Sequence, residues 1–199
     1  MKSTKKLVEN IVLEHTELIG FLKTQKFVVQ IDKVVCLLVS TVRNGNKILL
    51  CGNGGSAADC QHFAGELVGR FLMERKPIAC IALTTNSSII TAIGNDYSFD
   101  RVFSRQIEAT GNKEDTLILI STSGKSASII DAAKTAKKTG IRTIGLTGSA
   151  PNPLSNIVDI CVAVPSTSTP RIQEIHSIII HILCHAIEQE LFSHEVKKN

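Results

Sequence analysis

The sequence predicts an α/β fold: a doubly wound parallel sheet of five strands, helices on both faces, and two extra helices ahead of the first strand. Three observations predict it. From residue 47 onward, short apolar runs alternate with helical patterns, as in a parallel sheet covered on both sides. Two of those runs break into turns rich in glycine or hydroxyls at the start of a helix, where ligands of such sheets bind. The length, 199 residues, suits one domain with a substantial core.

Taken in order, residues 4–23 read as a helix, because Leu7, Ile11, Leu18 and Leu22 share one stripe. Residues 26–43 read as a second, with Phe27, Ile31, Val34, Val35, Leu38 and Val42 apolar and Asn44-Gly45 as its stop. This leading pair, 1–45, either caps the chain's own sheet or packs against another copy; packing in an oligomer is the reading adopted. The α/β part spans 46–192, within a single domain of 1–199. Its strand-like runs are 47–51, 78–83, 116–121, 142–147 and 157–164, and helical patterns fill 56–70, 100–110, 126–139 and 170–191. The segment before Asn95 reads as irregular. Thr169 can cap the last helix, with Pro170 suited to its first position. The tail Val196-Lys197-Lys198-Asn199 is expected to fray.

Composition excludes several classes. Aromatics are 4% with no Trp, so the core is aliphatic, and no stacking aromatics lie between basic residues as a single-strand binder needs. A net charge of +4, with Lys and Arg spread out, does not imply nucleic acid. The six cysteines form no C-x-x-C pair and mostly sit in apolar runs, which argues against a zinc knuckle or disulfide scaffold and for buried thiols in a reducing cytoplasm. There is no apolar leader, and no run reaches the ~18 residues of a membrane span.

The chemistry sits at the turns and beside them. Gly52-Asn53-Gly54-Gly55-Ser56-Ala57 lets backbone approach a ligand, and the helix behind it favours an anion such as phosphate. Ser56 is the expected N-cap, with Asp59 three residues on. The run also satisfies G-x-G-x-x-A, but strand 78–83 ends in Thr84-Thr85-Asn86, without the acid that would hold a dinucleotide ribose. Ser121, Thr122, Ser123 and Ser126 surround Gly124 at a second helix start and can ring an anion. A P-loop would need glycine at 119, which is leucine. His62 and Glu66 lie four apart on one helix face, able to hold a metal or move protons, or to be a plain surface pair. Gln173, Ser177 and His181 form a similar stripe, in which the histidine also suits a core position; His15, His176 and His194 read as structural. Asn95-Asp96 suits a turn or a sugar hydroxyl equally.

These motifs together carry a resemblance. Cys51 to Asp59, with Ala92-Ile93-Gly94-Asn95-Asp96, Ser121-Thr122-Ser123-Gly124 and Arg171-Ile172-Gln173-Glu174-Ile175-His176, is similar to the sugar isomerase (SIS) domain, a flavodoxin-like fold, and within it to the bacterial phosphoheptose isomerase family. The resemblance covers nearly the whole chain. It implies interconversion of D-sedoheptulose 7-phosphate and D-glycero-D-manno-heptose 7-phosphate through an enediol, towards the heptose of lipopolysaccharide or other surface glycans. It implies Glu66 as base, His181 as its acid–base partner, and zinc held by residues matching His62, Glu66, Gln173 and His181. Substrate contacts fall on Asn53, Gly54, Gly55, Ser56, Glu66, Asn95, Asp96, Ser121, Thr122, Ser123, Ser126 and Gln173. A cytoplasmic homotetramer with active sites between subunits, and no nucleotide or redox cofactor, completes the implication. Pro170 stands where some members carry an aspartate near the sugar, and Gly65 is an unusual helix-interior residue that would allow a close subunit contact. A related group of SIS proteins, which scaffolds the bacterial replication initiator, is the alternative; it lacks the acid–base pair that Glu66 and His181 supply here.

Overall fold

The computed structural model describes residues 2–193; His194 and the tail from Val196 to Asn199 lie outside the described residues. Helices α1 (Lys2–Phe21) and α2 (Gln25–Arg43) lead the chain. Thr24 accepts from the Phe27 N–H at 3.3 Å and starts α2, which buries Phe27, Ile31, Val34 and Leu38. Asn44 ends it, and Gly45, at φ 76°, turns the chain away in the left-handed region that glycine tolerates.

Strands β1 (Ile48–Gly52), β2 (Cys80–Ala82), β3 (Thr116–Ser121), β4 (Arg142–Thr147) and β5 (Ile160–Ala163) form one parallel sheet in the order β2-β1-β3-β4-β5. Between them run α3 (Gly55–Val68), α4 (Ser87–Asp96), α5 (Ser104–Thr110) and α6 (Ala127–Lys138), and α7 (Thr169–Phe192) closes the fold. Strand side chains alternate faces. Ile48, Leu50, Ile118 and Ile120 therefore point to one side, where α2, α3 and α7 cover them. Leu49, Cys51, Leu117 and Leu119 point to the other, against α5 and α6. Helix α1 lies over α7, held by Arg171 Nη1 donating to Ile11 O at 3.1 Å and by His15 Nδ1 and Glu174 Oε2 at 2.9 Å. Leu7, Val8, Val12 and Leu13 on α1 stay exposed.

From β1 the chain winds outward to β2, then returns across β1 to β3. The carboxyl ends of β1 and β3 thus part at the switch point of the sheet, which leaves a crevice.

Several expectations need correction. The segment read as irregular is helix α4, whose Asn86 side chain accepts from the Ile89 N–H at 3.0 Å. Its β-branched Ile89-Ile90-Thr91 and its Gly94 are weak helix formers, and the cap outweighs them. Residues 99–101 form a separate 3₁₀ turn before α5. Strand β2 has three residues, and β5 begins at Ile160, just after Asp159, whose carboxylate accepts from the Thr143 N–H and hydroxyl, each at 2.8 Å. Helix α3 is preceded by Gly54, at φ 55°, so Ser56 sits inside the helix, buried, and is not its cap. Likewise Ser168 precedes α7, and Thr169 is its first residue. Cys36 is exposed, and no atom packs around the space a Cβ on Gly65 would fill.

Candidate active site

Two loops frame the crevice. After β1, Gly52 must lack a side chain because a Cβ there would meet the Ser56 carbonyl oxygen at 2.6 Å. After β3, Gly124 at φ 62° donates its N–H to the Ser121 carbonyl and hydroxyl, at 3.1 and 3.2 Å. The loops are tied by Asn53 Nδ2 donating to Ser128 Oγ at 2.9 Å. From the other side, Gly148 N–H donates to Thr122 O and Leu154 N–H to Gly124 O, each at 3.0 Å.

The cavity between them has a volume of about 330 Å3. Asn53, Gly54, Gly55 and Ser56 line one wall; Ser121, Thr122 and Ser126 line the other. Thr169 and Gln173 of α7 close it, with the Gln173 amide lying on Gly55. Helices α3 and α6 both begin here, so their free N–H groups and positive dipole ends favour an anion. Ser126 precedes α6 without a capping bond from its side chain, so its hydroxyl is available to a ligand. A larger cavity of about 510 Å3 lies between the first turn of α2 and β5, and Lys26 is the one charged side chain among its described lining residues.

Packing of α3 against α7 makes the second part of the site. His62 and Glu66 come from α3, His181 from α7. His62 Nε2 stands 3.2 Å from Glu66 Oε1 and 3.3 Å from His181 Nε2. One ligand atom from each of the three lies within 4.8 Å of the others. The rings of His62 and His181 meet edge-on, 5.0 Å apart. Glu66 is half-buried while both histidines reach solvent.

Between cluster and cavity, Ser177 donates to Asp59 Oδ1 at 3.4 Å. Burial raises the Asp59 carboxyl above its ordinary range, only partly opposed by the Ser177 bond and the charge of His62. His176 points instead into the core, where its Nε2 stands 3.2 Å from Thr147 O and burial depresses its pKa to about 4.

The structure therefore unites residues from 53 to 181 along one seam. It does not bring all candidates there. Ser123 is exposed, its hydroxyl accepting from the Lys125 N–H at 3.2 Å, outside the cavity wall. Asn95 and Asp96 bond each other at 2.9 Å at the end of α4 and do not line it. Thr169, read from the sequence only as a helix cap, and Phe71, not singled out there, do join the seam: Phe71 packs on His181 with ring centroids 5.5 Å apart. The run of hydroxyls Ser166 to Thr169 was the available signal for the first; nothing local signals the second.

The model of the SIS domain matches residues 17–148. The phosphoheptose isomerase of Aliarcobacter butzleri is 55% identical over 161 residues, 81% of this chain and 85% of that protein. The chain belongs to the phosphoheptose isomerase family. Phosphoheptose isomerase 1 of Campylobacter jejuni is 50% identical over 183 residues, 92% of this chain and 97% of its own length. The solved structure of the phosphoheptose isomerase from Neisseria gonorrhoeae superposes with a TM-score of 0.88 at 39% identity, covering 94% of this chain and 99% of that one. For this SIS domain the five-stranded sheet and its covering helices are thus the fold expected from the sequence.

Proposed function

We infer that this chain is an aldose–ketose isomerase that converts D-sedoheptulose 7-phosphate to D-glycero-D-manno-heptose 7-phosphate, the entry step to the heptose of bacterial surface glycans. The observation that carries this reading is the meeting of Glu66 with His181, across two helices, beside an anion cavity, in a chain 55% identical to a phosphoheptose isomerase. The named relatives are isomerases, and the scaffold reading has no support.

The phosphate belongs in the cavity, held by the N–H groups at the starts of α3 and α6 and by Ser56, Ser121, Thr122 and Ser126. That anchor fixes the far end of the sugar, so its binding energy orients the reacting end. Glu66 is assigned as the base that takes the C1 proton of the ketose and, once its carboxyl has exchanged with solvent, delivers a proton to C2. His181 is assigned to carry a proton between the two oxygens of the enediol. Asn95, Asp96 and Ser123 are assigned to the substrate on the family resemblance.

The donor set of His62, Glu66 and His181 fits zinc in type: two imidazoles and a carboxylate. The spacing of His62 from Glu66 and from His181, 3.2 and 3.3 Å, is close to the roughly 3.4 Å between ligands held about 2.1 Å from a tetrahedral ion. Gln173 is the fourth ligand the resemblance implies. When bound, the ion would polarise the carbonyl and stabilise negative charge on the sugar oxygens. No helix among the described residues is long and apolar enough to cross a membrane. A cytoplasmic homotetramer is the assembly we propose, with the exposed apolar residues of α1 and Val28 and Val29 of α2 as its contact faces. The test is direct: purified protein incubated with sedoheptulose 7-phosphate should form the aldose, and no aldose in the presence or absence of added zinc would reject the assignment.

A further inference from the structure

A fully buried ion pair lies at the far end of the α3–α7 seam, outside the groups that touch substrate. The side chains of Arg75 and Glu188 have no solvent exposure, and Arg75 Nε donates to Glu188 Oε1 at 2.9 Å. Glu188 also accepts three main-chain N–H bonds from the segment after α3: Phe71 at 2.9 Å, Leu72 at 2.8 Å and Met73 at 3.0 Å. Burial by itself would raise this carboxyl, but those donors and the guanidinium outweigh it and hold it below the usual range. Arg75 turns most of its remaining donors to the end of α3, besides one bond from Nη1 to Lys76 O at 3.1 Å. Nη2 reaches Glu66 O at 2.8 Å, and Nη1 reaches Leu67 O at 2.7 Å and Gly69 O at 3.1 Å.

A buried ion pair adds little stability over apolar packing of the same shape. Its bonding pattern here is better explained by what it holds in place. On one side it grips the last turn of α3, at the carbonyl of Glu66 itself. On the other it fixes the main chain of Phe71, whose ring lies on His181 at 5.5 Å and near His185 at 6.5 Å. Glu188 stands two turns beyond His181 on α7. Both members of the proposed acid–base pair are therefore tied to one clamp that neither touches through its side chain.

We propose that Glu188 and Arg75 are positioning residues for the reaction, acting through the Phe71 ring, which sets the orientation of the His181 imidazole towards His62 and Glu66. This rests on the assignment of Glu66 and His181 above. With the ring removed, His181 has one wall fewer and can turn away from the cluster. Turnover should then suffer more than binding, because the phosphate cavity is built from other residues.

Two measurements on the full-length protein test it. In kinetics with sedoheptulose 7-phosphate, Phe71→Leu should lower kcat about tenfold or more, as misplaced catalytic groups do, with KM within about twofold of the parent. Phe71→Tyr, which keeps the ring, should stay near the parent. Glu188→Gln should lower kcat likewise, and combined with Phe71→Leu should be no worse than the poorer single variant, the mark of residues acting as a unit. Phe71→Leu keeps the main-chain bonds to Glu188, so it tests the ring even where Glu188→Gln does not fold. In parallel, the His181 ring resonance, assigned by comparison with His181→Gln, should change its chemical shift at fixed pH in Phe71→Leu. This second measurement reads the clamp without reference to turnover, so failure of the acid–base assignment shows separately as an active Glu66→Gln. An unmoved His181 resonance, or a Phe71→Leu enzyme with parental kcat, overturns the proposal.

Discussion

Substituting Gly55 by alanine perturbs the site at one defined point. Gly55 begins α3 at a negative φ, so alanine fits its backbone and should fold as well as glycine or better. The added Cβ, however, falls onto the amide of Gln173, 2.9 Å from its Cδ and 3.0 Å from its Oε1, with Nε2 closer still. The amide is the far end of a flexible chain, so it moves; the helix does not. What is lost is the Gln173 contribution to the cavity. A hydrogen bond to a charged group contributes about 1.5–3 kcal/mol, which is roughly 10- to 150-fold in affinity. Gly55→Ala should therefore weaken binding of the sugar phosphate in calorimetry by about that factor, with its melting temperature unchanged or raised. Gln173→Ala should lose a similar amount, and the double variant should bind like Gln173→Ala alone, because the clash has no remaining partner. Fully additive losses, or parental binding by Gly55→Ala, would refute the placement of Gln173 over the loop.

Other outcomes follow from the same geometry. Burial holds the His176 pKa at about 4 in the folded chain, against 6.5 unfolded, with the Thr147 carbonyl only partly opposing it. As the pH falls from 6.5 towards 4 the unfolded chain takes up a proton that the folded chain refuses, so stability should decline across that window, by up to about 3 kcal/mol. Urea unfolding between pH 7.5 and 4.5 measures this, and His176→Gln should flatten the slope. If zinc occupies the cluster, dialysis against a chelator should remove activity, zinc should restore it, and His62→Ala should lower metal content measured by elemental analysis. A metal content of zero in active protein would leave the proton transfer to Glu66 and His181 alone.

Much of this was legible in the residues. The apolar runs at 47–51 and 116–121 are buried strands on both faces, and their continuous hydrophobicity says so. The two loops were readable because glycine and hydroxyls at a helix start have few other uses. Their meeting in one cavity followed only from the strand order. His62 with Glu66 was visible as a spacing, but Glu66 and His181 are 115 positions apart, and local pattern has no reach over that distance. Helix α4 was hidden because its β-branched interior outweighs, to a propensity reading, the single Asn86 side chain that starts it. The clamp of Arg75 and Glu188 was also illegible: a charged pair so far apart in sequence looks like two ordinary surface residues until packing buries both.

Solvent exchange tests the central claim most directly. In deuterated water, isomerisation of sedoheptulose 7-phosphate by proton abstraction through Glu66 should place deuterium at C2 of the heptose product. Glu66→Gln should cut that incorporation by about 10²- to 10⁴-fold while still binding the sugar phosphate. Deuterium appearing in the product at the parental rate with Glu66→Gln would contradict the account.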